Sequence, residues 1–235
     1  MSKVMVDGMK HIKRIAAFSI VLVMLLALAG CGNSAGNNDP AAATSSQTYE
    51  NAVTENTQES ESENTLVVYF SRTGEQYTVG VIDKGNTAIV AEMIADATGA
   101  DMFEVLPQED YYPYTYKELT DVAKKEQNDK ARPVYQGPIP DLSEYSTVFI
   151  GAPVWWGDWP MIMYTFFENE DLSGKTLIPF STHEGSGLSG FDRKLSSACP
   201  DATVLDGLAV RGNDAQNDQG RVRQSVNDWI SGLGY

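Results

Sequence analysis

The chain has 235 residues, 42% of them hydrophobic, and a formal net charge of −15 at pH 7. This length suffices for one sizeable domain with a complete core. Residues 1–30 hold four basic and one acidic side chain, so the remainder carries 13 basic and 31 acidic side chains, a net charge of −18. Because binding to nucleic acid needs clustered Lys and Arg, this balance argues against a nucleic-acid partner. An acidic surface suits docking to basic proteins, although solubility alone also explains it.

The N-terminal segment has the pattern of an exported protein. A basic stretch from Lys10 to Arg14 precedes the apolar run 15–28, which is too short to predict a membrane span. Leu28-Ala29-Gly30-Cys31 then resembles the lipobox of bacterial lipoproteins. We therefore expect a signal peptide over residues 1–30, a lipid on Cys31 and a location at the extracytoplasmic face of the cell membrane. The alternative is an ordinary cleaved signal followed by an incidental cysteine.

Residues 31–64 are rich in Gly, Asn, Ala, Ser, Thr and Glu and contain almost no apolar side chains. Such a segment cannot bury enough surface to offset the entropy of ordering it. We predict a disordered tether over residues 31–64 and a folded domain over residues 65–235.

In the predicted domain, short apolar runs alternate with segments of helical periodicity. The run Leu66 to Phe70 is apolar on both faces, as in a strand of a parallel sheet. The predicted strands cover residues 66–71, 102–106, 147–151, 176–181 and 203–210, and the predicted helices cover 87–98, 116–127, a segment from 160, 191–198 and a final segment around 222–233. Five strands alternating with five helices predict an α/β fold, a doubly wound parallel sheet with three α/β/α layers. Pro179 is expected near the end of its strand, because proline removes a ladder hydrogen bond.

Ligands of such sheets bind beyond the carboxyl ends of the strands. Three predicted loops lie there: Ser71 to Gly74 together with Gly85 to Thr87, then residues 152–157, then residues 181–187. The first loop joins a strand to a helix N-terminus, where free amides and the helix dipole favour an anion. Residues 75–84 interrupt this loop. The insertion either bulges out while both halves converge, or it spoils the anion site.

The segments "VVYFSRTG" with "GNT", "GAPVWWG" and "PFSTHEGSG" together resemble the flavodoxin-like FMN-binding family over residues 65–235. The resemblance implies the strand order 2-1-3-4-5 and a non-covalent FMN. It implies a phosphate site at Ser71, Thr73, Gly74, Asn86 and Thr87, a ring site at Pro153, Val154, Trp155, Trp156 and Gly157, and a pyrimidine site at Thr182, Gly185, Ser186 and Gly187.

Four side chains at these loops have more than one interpretation. Trp155 and Trp156 match the flat apolar face of a flavin, and core packing is the alternative. Arg72 either pairs with the phosphate or is solvated. His183 either contacts the flavin or lies on the surface. A further departure from the family is Glu184, whose carboxylate would oppose an anionic reduced flavin.

No cluster of side chains has the spacing of a metal site, and Ser71 and Ser186 lack a partner base for hydrolysis. We therefore predict no metal and no catalytic side chain. The favoured function is electron transfer through FMN at the membrane face, with a redox partner protein or a membrane electron donor or acceptor. An FMN oxidoreductase that uses NAD(P)H or quinone is one alternative. A binding module without FMN is another.

Overall fold

The computed structural model of the chain describes residues 64–235. Its strands are β1 Thr65–Tyr69, β2 Gly74–Gln76, β3 Gly80–Ile82, β4 Asp101–Glu104, β5 Thr147–Pro153, β6 Thr176–His183, β7 Thr203–Val204 and β8 Leu208–Arg211. Its helices are α1 Asn86–Thr98, α2 Tyr116–Asp129, α3 Met161–Asn169, α4 Phe191–Ala198, α5 Gly212–Asn217 and α6 Gln219–Leu233. The predicted signal peptide, the lipid on Cys31 and the tether up to residue 63 lie outside the described residues.

The main sheet is parallel and has the order β4-β1-β5-β6, with β7 and β8 both paired to β6. Strands β2 and β3 form a separate antiparallel hairpin. When that hairpin is set aside, the order is the predicted 2-1-3-4-5. The doubly wound fold is therefore confirmed.

Alternate residues of the central strands pack on opposite faces of the sheet, which gives three layers. Leu66, Val68 and Phe70 belong to a core cluster that includes side chains of α2, α3 and α4. Val67 and Tyr69 belong to a second cluster with side chains of α1, α5 and α6. Helices thus cover both faces, and the unbroken apolar run of β1 follows from its burial on both sides.

Pro179 corrects two predictions. It lies inside β6 rather than near its end, opposite Ile150 of β5. Leu177, two positions earlier, accepts a hydrogen bond from Leu205 N–H, so residue 179 faces the same neighbouring strand. Since proline has no N–H to offer there, pairing breaks, and the predicted strand 203–210 is divided into β7 and β8. Gly207 lies at the break, where a side chain would come within 2.5 Å of the Pro179 carbonyl oxygen.

Cys199 follows the last turn of α4 and is buried. Burial raises the pKa of its thiol to about 11. The side chain is therefore an unreactive part of the core near neutral pH.

Within residues 64–235, no helix combines the length and the apolar character that a membrane crossing requires. The same residues contain no group of three His, Cys, Asp or Glu side chains that could hold a metal ion.

Candidate functional site

The three predicted loops meet at the carboxyl edge of the parallel sheet. They follow β1, β5 and β6, which are adjacent strands. Val154 N–H donates to the Thr182 carbonyl oxygen at 2.9 Å, so the second and third loops begin side by side. The topology therefore places all three at one end of the molecule.

The two halves of the first loop converge despite the insertion. Ser71 Oγ accepts a hydrogen bond of 3.0 Å from Ala88 N–H in the first turn of α1. Gly85 lies against this contact, since a side chain there would come within 2.1 Å of Ser71 Oγ and 2.7 Å of the Arg72 carbonyl oxygen. Close backbone approach is the reason that glycine occupies this position. The insertion thus leaves the strand-to-helix junction intact.

Several main-chain amides at this junction have no acceptor within residues 64–235. The N–H groups of Asn86 and Thr87 belong to the first turn of α1, where no intrahelical partner exists. Those of Arg72 and Thr73 likewise donate to no atom in this part of the chain. Amides left free on both halves of one loop, beside the positive end of a helix dipole, are suited to an anion such as a phosphate ester.

The insertion forms the hairpin β2–β3, which has three residue pairs from Gly74–Ile82 to Gln76–Gly80. Glu75 N–H donates to the Tyr114 carbonyl oxygen at 2.9 Å, and Glu75 Oε2 accepts from Tyr116 N–H at 2.8 Å. Gly74 has a φ of 90°, and a side chain there would come within 2.8 Å of the Tyr114 carbonyl oxygen. The hairpin is therefore docked on the segment that leads into α2.

Arg72 has partners other than the amide cluster. Its guanidinium pairs with Asp110 at 2.8 Å, donates to the Tyr112 carbonyl oxygen at 3.0 Å and lies 5.4 Å from the centroid of the Tyr112 ring. Its Nε is buried and has no hydrogen-bond partner among the described residues. The side chain thus ties the first loop to the tyrosine segment 111–116, and the prediction of a phosphate ligand at Arg72 stays untested.

The second loop contains a tight turn at the two tryptophans. Trp155 and Asp158 exchange two backbone hydrogen bonds of 3.0 Å around Trp156 and Gly157. The φ angles of these two central residues are 51° and 72°, as in a type I′ turn. A bulky side chain in the left-handed region costs about 1–3 kcal/mol. The turn therefore holds the Trp156 indole where an ordinary turn would place Asn or Gly.

Contacts from α2 fix the Trp156 indole in this strained position. Trp156 Nε1 donates to the Thr120 carbonyl oxygen at 2.9 Å, and Gln127 donates to the Trp156 carbonyl oxygen at 3.2 Å. The Lys124 ammonium lies 5.0 Å from the centroid of the Trp156 ring. Trp156 nevertheless stays 54% exposed, so much of its ring is available to a ligand.

Trp155 has the opposite environment. It is partly buried and packs edge-on against Phe70 and Tyr112, with centroid distances of 5.3 and 5.2 Å. Both tryptophans line the same cleft, Trp155 from the side of the core and Trp156 from the outer side. Trp155 can therefore pack against the core and contact a ligand at the same time.

His183 lies at the end of β6, in the third loop. Its Nδ1 accepts a hydrogen bond of 2.8 Å from Gly185 N–H, so the neutral ring carries its proton on Nε2. Burial lowers the pKa of His183 below its ordinary value, and Arg211 acts in the same direction, whereas Glu184 and Asp214 oppose them. Near pH 7 the His183 imidazole is therefore neutral, and its Nε2–H group is available as a donor.

Glu184 points toward the start of α5. Its Oε1 accepts from Asn213 N–H at 2.6 Å, and its Oε2 lies 3.7 Å from a nitrogen of Arg211. That Oε2 is buried and makes no hydrogen bond in the described part of the chain. The carboxylate that departs from the family pattern thus has a structural partner and one free acceptor atom.

A cleft of about 420 Å³ lies between the loops, a volume typical of small-molecule sites. Of the predicted site residues, it is lined by Asn86, Pro153, Val154, Trp155, Trp156, Thr182 and His183. The other predicted site residues belong to the loops but do not line the cleft: Ser71, Arg72, Thr73, Gly74, Thr87, Gly157, Gly185, Ser186 and Gly187. Glu184 also lines the cleft, and no Lys or Arg of the described part of the chain is among the lining residues.

Sequence reasoning missed one wall of the cleft. Gln76 and Tyr77 of the hairpin line it, as does one face of α2: Tyr116, Leu119, Thr120 and Ala123. Tyr116, Leu119 and Ala123 recur at helical spacing on a mostly polar helix, and that stripe was the available signal. Tyr77 lies in the turn between two strands of three residues, which are too short to show a periodicity, so no comparable signal exists for it.

The arrangement fits an elongated ligand with an aromatic ring and a terminal anion. Apolar and aromatic side chains flank the cleft, and the free amides of the first loop lie near Asn86 at one side of it. The strand order and this position at the edge of the sheet define a flavodoxin-like α/β protein.

Comparison with known proteins agrees. A family model described as Flavodoxin matches residues 64–230. A candidate flavoprotein from Bacteroides uniformis is 30% identical, with a TM-score of 0.58 over 72% of this chain and 97% of its own. Another, from Bacteroides eggerthii, is 29% identical, with a TM-score of 0.57 over 73% and 98%. A comparison with curated proteins found no match. The chain belongs to the flavodoxin family.

A more distant solved structure has the same fold. It is a flavoprotein from Lactobacillus acidophilus in complex with FMN, 23% identical, with a TM-score of 0.50 over 67% of this chain and 97% of its own.

Proposed function

We propose that the chain binds FMN in this cleft and transfers electrons from a lipid-anchored position at the extracytoplasmic face of the membrane. The observation that carries the proposal is the convergence of free amides from both halves of the first loop beside a cleft walled by two tryptophans. Family membership and the complex of the Lactobacillus acidophilus flavoprotein with FMN support the choice of cofactor.

Each part of the site has a proposed role. The amides of Arg72, Thr73, Asn86 and Thr87 hold the phosphate, while Trp155 and Trp156 contact the ring and exclude water from it. Bound FMN supplies the capacity for one- and two-electron transfer.

In the third loop, the main-chain groups of Gly185, Ser186 and Gly187 remain the predicted contacts of the pyrimidine edge. His183 holds a proton on Nε2 because its Nδ1 accepts from Gly185 N–H. The imidazole can therefore donate a hydrogen bond to a ligand while it stays neutral.

The charges of the cleft favour an electron carrier over an enzyme that uses a pyridine nucleotide. Among residues 64–235, no Lys or Arg lines the cleft, and Glu184 is the one acidic side chain that does. The diphosphate of NAD(P)H would face that carboxylate in the cleft, which disfavours its binding there. Electrons then come from, and pass to, a protein partner or a membrane-bound donor or acceptor.

The cofactor and the mode of transfer can be tested on the full chain purified in detergent. We expect added FMN to lose its fluorescence and to give a shifted visible spectrum, and reductive titration to resolve two one-electron steps. Rapid bleaching by NADH or NADPH would favour the oxidoreductase. An unchanged FMN spectrum would contradict the proposal and would favour the alternative, a binding module without FMN.

The anchor is tested separately in cells. Because Leu28-Ala29-Gly30-Cys31 matches a lipobox, we expect labelled fatty acid on the wild-type chain and none on a Cys31→Ser variant. The variant should also leave the membrane fraction. A Cys31→Ser chain that still fractionates with membranes would contradict lipid attachment at this residue.

A further inference from the structure

The hairpin β2–β3 borders the cleft directly. Its strands begin and end at the two halves of the first loop, since Gly74 pairs with Ile82 and Gly85 follows three residues later. Gln76 and Tyr77 line the cleft together with Tyr116 of α2. The ten residues that interrupt the family pattern therefore contribute side chains to the candidate site.

Tyr77 and Tyr116 form a stacked pair at the mouth of the cleft. Their ring centroids lie 5.5 Å apart with an interplanar angle of 27°. Glu75 fixes this arrangement, because its amide and its carboxylate bind the backbone on either side of Thr115. The hairpin is thus positioned by polar contacts that do not involve the Tyr77 ring.

Tyr77 remains 56% exposed although it stacks on Tyr116. An aromatic ring that is held in place and stays open to solvent at a cleft has apolar surface that a flat ligand would bury. Trp155 and Trp156 line the same cleft and also present aromatic surface.

We infer that Tyr77 is a cofactor-contacting residue and that the hairpin β2–β3 forms the outer wall of the site. The inference rests on the proposed FMN function and extends it to the insertion. The free amides lie in the chain segments just before and just after the hairpin. An anion bound to them therefore also restrains the hairpin that bears Tyr77.

The test compares FMN dissociation constants of the full chain and three variants. Tyr77→Ala should weaken binding about tenfold, the scale of a lost aromatic contact. Tyr77→Phe should bind like the wild type, because the ring rather than the hydroxyl makes the contact. Val81→Ala is the matched control, since Val81 lies on the same hairpin, is 61% exposed and does not line the cleft.

Hydrogen exchange gives a readout that needs no substitution. Amides of residues 74–82 should exchange more slowly in the wild-type chain when FMN is added. If the wild type binds FMN while Tyr77→Ala binds equally well, or while exchange at the hairpin is unchanged, the inference is overturned and the proposed function stands. If the wild type binds no FMN, the proposed function itself fails.

Discussion

The hydroxyl groups of Thr87 and Thr182 lie 2.7 Å apart and form a buried hydrogen bond between the first turn of α1 and the end of β6. The two residues are 1% and 3% exposed. This bond fastens the strand-to-helix junction to the third loop. The bond uses one donor or acceptor position of the Thr87 hydroxyl, and the main-chain amide of Thr87 stays available to a ligand.

Replacing either threonine should therefore destabilise the fold. Thr87→Val and Thr182→Val each leave a buried hydroxyl without its partner, and each should lower the free energy of unfolding by about 1–3 kcal/mol. The double variant should lose less than the sum of the two, because no orphaned hydroxyl then remains. Urea denaturation of all four chains measures the coupling. Strictly additive losses would show that the two hydroxyl groups do not interact.

Alanine variants of the two tryptophans should differ in their effect on stability but should both weaken cofactor binding. Trp155→Ala removes contacts with Phe70 and Tyr112, so we expect a loss of about 2 kcal/mol in the free energy of unfolding. Trp156→Ala removes an exposed indole and should cost less than about 1 kcal/mol. Both should weaken FMN binding by about 1–2 kcal/mol, from lost stacking and burial.

Thermal unfolding and FMN titration on the same samples give both quantities. Unchanged FMN affinity in both tryptophan variants would place the ring elsewhere.

Gly85 should tolerate no side chain. Gly85→Ala would bring Cβ against Ser71 Oγ and the Arg72 carbonyl oxygen, both of which belong to the junction. We expect a loss of about 1–3 kcal/mol in stability, as in other overpacked sites, together with loss of FMN binding. Gly220→Ala is the control, because no atom of residues 64–235 lies within 4 Å of a Cβ at that position in α6. Equal behaviour of the two variants would contradict close packing at the junction.

His183 should make stability depend on pH. Its pKa is lowered in the folded chain, mainly by burial, so the unfolded chain binds the proton more readily. The stabilisation that comes from the neutral ring is present above the unfolded pKa and is lost as the pH falls through the folded pKa. The His183→Asn variant has no titrating side chain at position 183, and the Asn side-chain carbonyl oxygen can replace Nδ1 as the acceptor.

Urea denaturation at about pH 7.5 and about pH 5 measures this effect, since the two values bracket the ordinary histidine pKa. The wild type should lose more stability than His183→Asn between them. An equal loss in both chains would rule out a contribution from this imidazole.

Local sequence patterns were enough to predict most of the fold. The apolar run of β1 and the helical spacing of α1 both depend on neighbours in sequence. Their prediction was confirmed. Pro179 was placed wrongly because its effect depends on which strand lies beside it, and a single strand does not reveal that.

The site was predictable only in part, for the same reason. The three loops were found because each follows a strand at the same edge of the sheet. The contacts of Arg72 were not predictable, since Asp110 lies 38 positions away and is reached through the docking of another segment. Tyr77 was missed because residues 75–84 were interpreted as an interruption of a motif rather than as an element with its own docking contacts.

The buried Cys199 has a practical use for studies of motion in this protein. A thiol in the core with a pKa of about 11 reacts slowly with maleimides and methanethiosulfonates near neutral pH. In a chain that carries Cys31→Ser, a single cysteine introduced at Val81 would then be the preferred attachment point for a spin label or fluorophore. Movement of the insertion could be followed during cofactor uptake without removing a native side chain from the core.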